Sequence, residues 1–265
     1  MTDHSERRVD STHELVVRTA ALEGDDRHLA MTAIDAAATP ADRCWLRLED
    51  EAFAGAYPAR TERLRDAFEC VRTDGSLAAY RAPATDDALG IVRSLLTVPS
   101  WHGHVALESV RLERSGAPYL SYDPDHRNFD LDAETAADAV DAVATALEGT
   151  PAGVVSTEPR RWTVDGTPFE LAGASLCYET DGPLGTSSRA CFRCSRVADI
   201  DVEPAHRRLT LEWTDPPDAP RPIAALGGVL ERLGPERPTT MRVDSRAGFE
   251  AARDGLTELL TAVEN

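Results

Sequence analysis

The last third of the chain alternates apolar and polar residues through run after run and then changes period. Phe169–Thr180, Ala190–Glu203, Arg208–Trp213 and Thr239–Asp244 read with period two, the repeat of a half-buried strand. The segment that follows, Arg246–Val263, brings Phe249, Ala252, Leu256 and Leu259 onto one helical stripe. Strands with one wet face and a helix with one apolar stripe bury those surfaces by laying the helix on the sheet. The expected class is therefore α+β, with antiparallel strands closed by a C-terminal amphipathic helix.

The same grammar occurs upstream. His104–Arg114, the turn Ser115–Pro118 and Tyr119–Tyr122 read as a hairpin, and Phe129–Leu131 ends in Asp132, which can cap a helix over Ala133–Leu147. That helix is expected to bury Ala137, Val140, Ala144 and Leu147. Hairpin, strand ending in Asp, and striped helix recur as Ile200–Glu203, Leu209–Trp213, Met241–Asp244 and the terminal helix, an internal echo that predicts two related subdomains. The second copy carries an insert, Thr214–Pro238, whose Pro222–Leu233 reads as a helix. Glu148–Arg161, rich in Gly and Pro, reads as the linker, giving domains at 1–150 and 151–265.

In the first domain, Ser11–Glu14 has capping-box spacing ahead of a helix over Leu15–Leu22. His28–Ile34 alternates as a strand, and Arg43–Asp50 places Cys44, Leu46 and Leu48 on one face with Trp45 and Arg47 on the other. Thr61–Val71 has helical spacing, Ser76–Arg81 reads as a strand, and Thr85–Leu96 as a helix capped by Thr85, with Asp86 and Asp87 in its first turn.

Composition bounds the function. The chain has 28 basic residues, every one Arg, against 46 acidic ones, a net charge of -18. Such a lysine-free acidic surface suits an extreme-salt cytosol, where repulsion is screened over ~3 Å at 1 M salt. The acids are spread along the chain, which argues against nucleic acid as a partner and leaves another protein as the expected one; composition leaves the oligomeric state open. The first ten residues are polar and no window approaches ~18 apolar residues, so no membrane insertion and a cytoplasmic location are expected. The 5 cysteines are an odd number in such a chain, which predicts thiols that are mostly reduced and buried and no disulfide framework.

Chemistry-bearing motifs are sparse. His102 and His104 lie two apart on a strand-like run and could share a metal with His126 from the polar loop that also holds Asp123 and Asp125. Cys191-Phe-Arg-Cys194 has CxxC spacing, yet on a strand its thiols face opposite ways and read as core. No GxGxxG or GxSxG occurs, and a Walker motif requires a Lys the chain lacks, so no cofactor and no catalytic residue are expected. Arg160-Arg161 and Arg207-Arg208 could grip a phosphate or carboxylate, or serve as surface ion-pair partners.

Taken together, Phe169–Thr180 with Asp181-Gly182, Cys191–Ile200, Arg208–Trp213, Val243-Asp244-Ser245 and Phe249–Leu260 resemble the pleckstrin-homology-like fold over residues 162–265. The resemblance implies a binding or positioning module without catalysis and carries no ligand with it. Leu29–Phe53 looks like the early strands of DNA sliding clamps, and helices near 11–22, 85–97, 133–147 and 222–233 fall about where a clamp's four inner helices would. The third of those helices, however, carries Glu134, Asp138 and Asp141 where a clamp would face phosphates. The expected function is a soluble, non-enzymatic binding, regulatory or scaffolding protein, with a clamp-like replication accessory and a metal enzyme using His102, His104 and His126 as alternatives.

Overall fold

The computed structural model describes residues 9–18, 27–97, 107–181, 187–214 and 236–264. The chain is α+β and divides into two compact units, Met1–Leu15 with Gly24–Glu148, and Val16–Glu23 with Gly149–Asn265.

The first unit contains the first three residues of β1 (His13–Val17), then α1 (Arg27–Ala37), β2 (Arg43–Glu49), α2 (Asp50–Ala56), α3 (Pro58–Ala67), β3 (Glu69–Asp74), β4 (Leu77–Pro83), α4 (Asp86–Leu96), β5 (Leu107–Arg114), β6 (Ala117–Asp123), β7 (Asn128–Leu131) and α5 (Ala133–Ala146). Its strands run antiparallel in the order β3-β4-β2-β5-β6-β7-β1. Cys44, Leu46, Leu48, Tyr80, Val110, Leu112, Leu120 and Phe129 are buried in its core. The Tyr119 hydroxyl donates to the Ala37 carbonyl at 2.6 Å, fastening β6 to the end of α1. The alternate residues of β2, β4 and β5 stack charge on an indole: Trp45 has the guanidinium carbons of Arg111 and Arg81 at 5.0 and 5.6 Å from its ring centre. Arg111 also lies 3.5 Å from the buried Glu113.

Several expectations change here. The expected helix at Leu15–Leu22 begins as strand β1: Val16 and Val17 are β-branched, and Ser11 bonds the His13 carbonyl instead of capping a helix. Thr12 accepts from the Ala133 amide at 2.7 Å, tying β1 to the start of α5. The expected strand His28–Ile34 is helix α1, which buries Leu29, Ala30, Ala33, Ile34 and Ala37 at three-four spacing. With four alanines in eleven residues, helix propensity prevails over a short apparent alternation. The helix expected to reach Val71 stops at Ala67, where Phe68 turns extended and the chain enters β3. In α5, Asp132 caps as expected, accepting from the Glu134 amide at 2.9 Å. Ala136 departs from helical geometry (φ -150°, ψ 75°), which rephases the helix. The buried stripe becomes Ala136, Ala139, Val143 and Leu147, and Ala137 and Ala144 face outward.

The second unit contains β8 (Ala152–Ser156), β9 (Arg160–Val164), β10 (Thr167–Ala172), β11 (Ser175–Asp181), β12 (Ser187–Arg193), β13 (Val197–Glu203), β14 (Arg208–Trp213), β15 (Thr240–Arg242) and α6 (Arg246–Glu264). Strands β9 to β12 form a four-stranded meander and β13 to β15 a three-stranded one. Helix α6 buries Phe249, Ala252, Leu256, Leu259, Leu260 and Val263 against Trp162, Phe169, Leu171, Leu176, Leu209 and Met241. The stripe expected for this helix is therefore the one it buries.

The segment expected as a linker is half sheet, since it contains β8 and the start of β9 at Arg160. Gly153 sits where α6 crosses: a Cβ there would lie 1.9 Å from the Ala262 carbonyl oxygen. The run Phe169–Thr180 is a hairpin folded at Gly173 (φ 54°), and Ala190–Glu203 is two strands separated by a turn of 3-10 helix over Cys194–Arg196. In chain order β5-β6-β7 lead into α5 and β13-β14-β15 into α6, and the two helices begin differently. Ser245 caps α6 by accepting from the Gly248 amide at 3.0 Å. Asp244 instead accepts from the amides of Asp165 (2.9 Å) and Gly166 (3.0 Å) at the β9–β10 turn. Those hydrogen bonds, together with Thr163 and Arg207, hold its carboxyl below the usual range. The helix expected within the Thr214–Pro238 insert lies outside the described residues.

Candidate functional site

Strands β9 to β12 pair in register, so side chains two apart fall into two transverse rows. One row is aromatic. Trp162 stands opposite Phe169 and Phe169 opposite Tyr178, with ring centres 6.1 and 5.0 Å apart, and Phe192 continues the stack 5.9 Å from Tyr178. The Tyr178 hydroxyl donates to the Glu236 carbonyl at 2.6 Å, and burial raises its pKa.

The second row, on the opposite face, carries charge and sulfur. Arg161 lies opposite Glu170, Glu170 opposite Cys177, and Cys177 opposite Cys191. The two Glu170 oxygens accept separately from Arg161 at 2.7 Å and from Arg189 at 2.5 Å. Those hydrogen bonds, from Arg161 first and Arg189 second, hold the Glu170 carboxyl below the usual range.

A cleft of about 620 Å³ opens along these strands, lined by Arg161, Trp162, Thr163, Pro168, Phe169, Glu170, Cys177, Tyr178, Glu179 and Arg189, and by Ser245, Ala247 and Gly248 at the start of α6. Gly248 lets the helix approach, since a Cβ there would meet Trp162 Cβ at 3.0 Å. The Trp162 indole N–H is buried and has no acceptor among the described residues.

Cys177 and Cys191 form a disulfide, one bridge in a chain whose thiols were expected to be mostly reduced. Cys191 is exposed on β12 and not in the core as expected, and Cys194 lies beyond that strand in the 3-10 turn; the partner of Cys191 is across the hairpin, where the Cα atoms are 4.1 Å apart. Cys194 and Cys44 are the expected buried thiols, with Cys44 pushed up to about 12 by burial, and Cys70 is exposed.

Of the three histidines proposed to share a metal, His102 and His104 lie outside the described residues. His126 is exposed in the β6–β7 loop, with Nδ1 2.9 Å from Asp123 Oδ2. The other Asp123 oxygen accepts from the amides of Asp125 (3.0 Å) and His126 (3.1 Å). The Asp123 hydrogen bond and charge raise the His126 pKa. Among the described residues no group of three or more His, Cys, Asp or Glu side chains could hold a metal. The arginine pairs serve as structural ties: Arg160 binds Glu258, Arg161 binds Glu170, Arg208 binds Glu203, and Arg207 donates to the Asp244 carbonyl at 2.7 Å. Also among the described residues, no helix is long and apolar enough to cross a membrane.

The aromatic row was encoded at Trp162, Phe169 and Tyr178, but recognising it required the strand register. Asp165-Gly166 was the missed signal: both residues have positive φ (49° and 79°) and set the two-residue turn between β9 and β10. In comparisons with protein families, with curated proteins and with solved structures, nothing matches this chain.

Proposed function

We propose that this chain is a non-enzymatic binding protein, regulatory or scaffolding in role, whose ligand occupies the cleft of the second unit. The observation that carries this reading is the cleft itself. Its 620 Å³ falls within the range of ~300–1,000 Å³ usual for ligand sites, and its lining includes Trp162, Phe169 and Tyr178 beside a few fixed polar groups. Those groups are committed to one another: Glu170 to two guanidiniums, Ser245 to capping α6, and Tyr178 to a backbone carbonyl. Such a lining positions a ligand and leaves those side chains no role as base or nucleophile.

The order of a four-stranded meander, a three-stranded meander and a closing helix supports reading residues 162–265 as pleckstrin-homology-like, a scaffold for recognition. The lysine-free acidic composition supports a salt-rich cytosol as its setting, with another protein as the partner.

The test uses anilinonaphthalene sulfonate, an aromatic anion, as the probe. Ala247 is exposed at the cleft, so Ala247→Trp fills the site and leaves the core intact. The folded wild type is expected to bind the dye and Ala247→Trp to bind it at least ten-fold more weakly. Equal binding by the two folded proteins refutes the assignment.

A further inference from the structure

We propose that Cys177–Cys191 is a reversible thiol–disulfide exchange site, entered at Cys191 by a dithiol protein, and that its redox state resets one wall of the cleft. Exchange stands on the sulfur geometry alone; control of the cleft rests on the function proposed above.

The two sulfurs differ in access. Cys177 is 5% exposed, whereas Cys191 is exposed on β12, so an incoming thiolate reaches Cys191. The bond joins neighbouring strands that are already paired in register from Ser175–Arg193 to Asp181–Ser187 and anchored by the fully buried Leu176. Breaking it leaves the ladder and the core in place, which is what an exchangeable bond needs. Buried Cys44 and Cys194 are shielded from the same reagents, and the exposed Cys70 has no disulfide.

The chemistry balances with a dithiol as reductant. Its thiolate attacks Cys191 Sγ, the Cys177–Cys191 bond breaks, and Cys177 leaves as a thiolate. The second thiol of the partner then attacks the mixed disulfide, releasing Cys191. The partner is oxidised by two electrons, and the two protons its thiols give up pass through water to the freed cysteines. Two thiols keep a van der Waals separation that a bond does not, so reduction displaces a side chain in the row that holds Glu170. Cys177 lines the cleft and Glu170 fixes both of its arginines, so the displacement alters the ligand wall.

The experiment treats the full chain with reduced thioredoxin under native conditions, alkylates it with iodoacetamide and maps the label by peptide mass. Before treatment only Cys70 should be labelled; afterwards Cys70, Cys177 and Cys191, with Cys44 and Cys194 unlabelled and circular dichroism unchanged. Reduction that occurs only in denaturant, together with labelling of Cys44 and Cys194, overturns the proposal, as does free Cys177 and Cys191 in air-oxidised protein. Dye affinity should differ at least three-fold between oxidised and reduced forms, with the Cys177→Ser/Cys191→Ser double variant behaving as reduced. An unchanged affinity overturns control of the cleft. Dye binding that ignores Ala247→Trp overturns the cleft reading and leaves exchange to be decided by the labelling.

Discussion

Replacing Gly153 by alanine tests the packing of α6 on β8 at its tightest point. The added Cβ would meet the Ala262 carbonyl oxygen at 1.9 Å, its carbon at 2.5 Å and its Cβ at 2.9 Å. Two of those atoms belong to helix backbone, which cannot swing aside, so the last turns of α6 must retreat by about 1 Å or more. Overpacking of that kind costs ~1–3 kcal/mol. Alanine recovers about 0.5–1 kcal/mol by restricting the unfolded chain and suiting a strand better than glycine. The net expectation is a loss of up to ~2.5 kcal/mol, centred near ~1 kcal/mol, or up to about 10 °C in the melting temperature of a unit this size. Two other glycines calibrate it. Gly255→Ala meets Arg160 Cδ at 2.7 Å and Leu171 Cδ2 at 2.9 Å, side-chain atoms that can yield, so it should fall near neutral. Gly90→Ala, inside α4 with nothing within 4 Å, should stabilise by about 0.5–1 kcal/mol. Urea unfolding followed by tryptophan fluorescence ranks the three. A Gly153→Ala midpoint at or above wild type refutes the close approach of β8 and α6.

Other consequences are equally measurable. Leu256, fully buried at the centre of the α6 stripe, should cost ~2–5 kcal/mol on truncation to alanine, read by the same unfolding curves. Tyr80 is raised to about 12, by burial first and by its 2.5 Å hydrogen bond to Asp50 second. Because the unfolded tyrosine ionises near ~10, its contribution is intact below that pH and lost as the pH climbs through 12. Tyr119 and Tyr178 are raised too, so a tyrosinate absorbance titration should show delayed ionisation that ends abruptly on unfolding. His126 should titrate above the ordinary ~6.5 in an NMR experiment, and Asp123→Asn should bring it back; a histidine indifferent to that change removes the ion pair.

Elements were legible where apolar and polar residues alternate in sequence. β2 and the hairpin of β5 and β6 do so, although Trp45, Arg111 and Glu113 of their second face are buried as well, and Thr85 and Asp132 announce the helices they cap. The terminal helix shows its stripe because charged residues separate Phe249, Ala252, Leu256 and Leu259. α1 was hidden by its alanines, which carry no period, and the true phase of α5 by a backbone departure at Ala136 that no side chain signals. The two long strand-like runs near the C-terminus each conceal a turn, at Gly173 and at Cys194. The disulfide and the cleft both depend on register: which residue stands opposite Cys177 is decided across the hairpin, beyond the reach of local pattern.

The contact of Asp244 with the turn at Asp165 and Gly166 also sets an order of events. The β9–β10 hairpin is local and could zip early, since its Asp-Gly turn needs no distant help. Its two turn amides, however, find their acceptor 79 and 78 residues further along the chain. Closure of that long loop must wait until β13 to β15 have assembled, because Asp244 follows directly on β15. The hairpin that forms one wall of the cleft is thus among the first structures able to form and among the last to be locked. Loosening the chain at Asp244 should speed unfolding of the cleft more than it slows its formation.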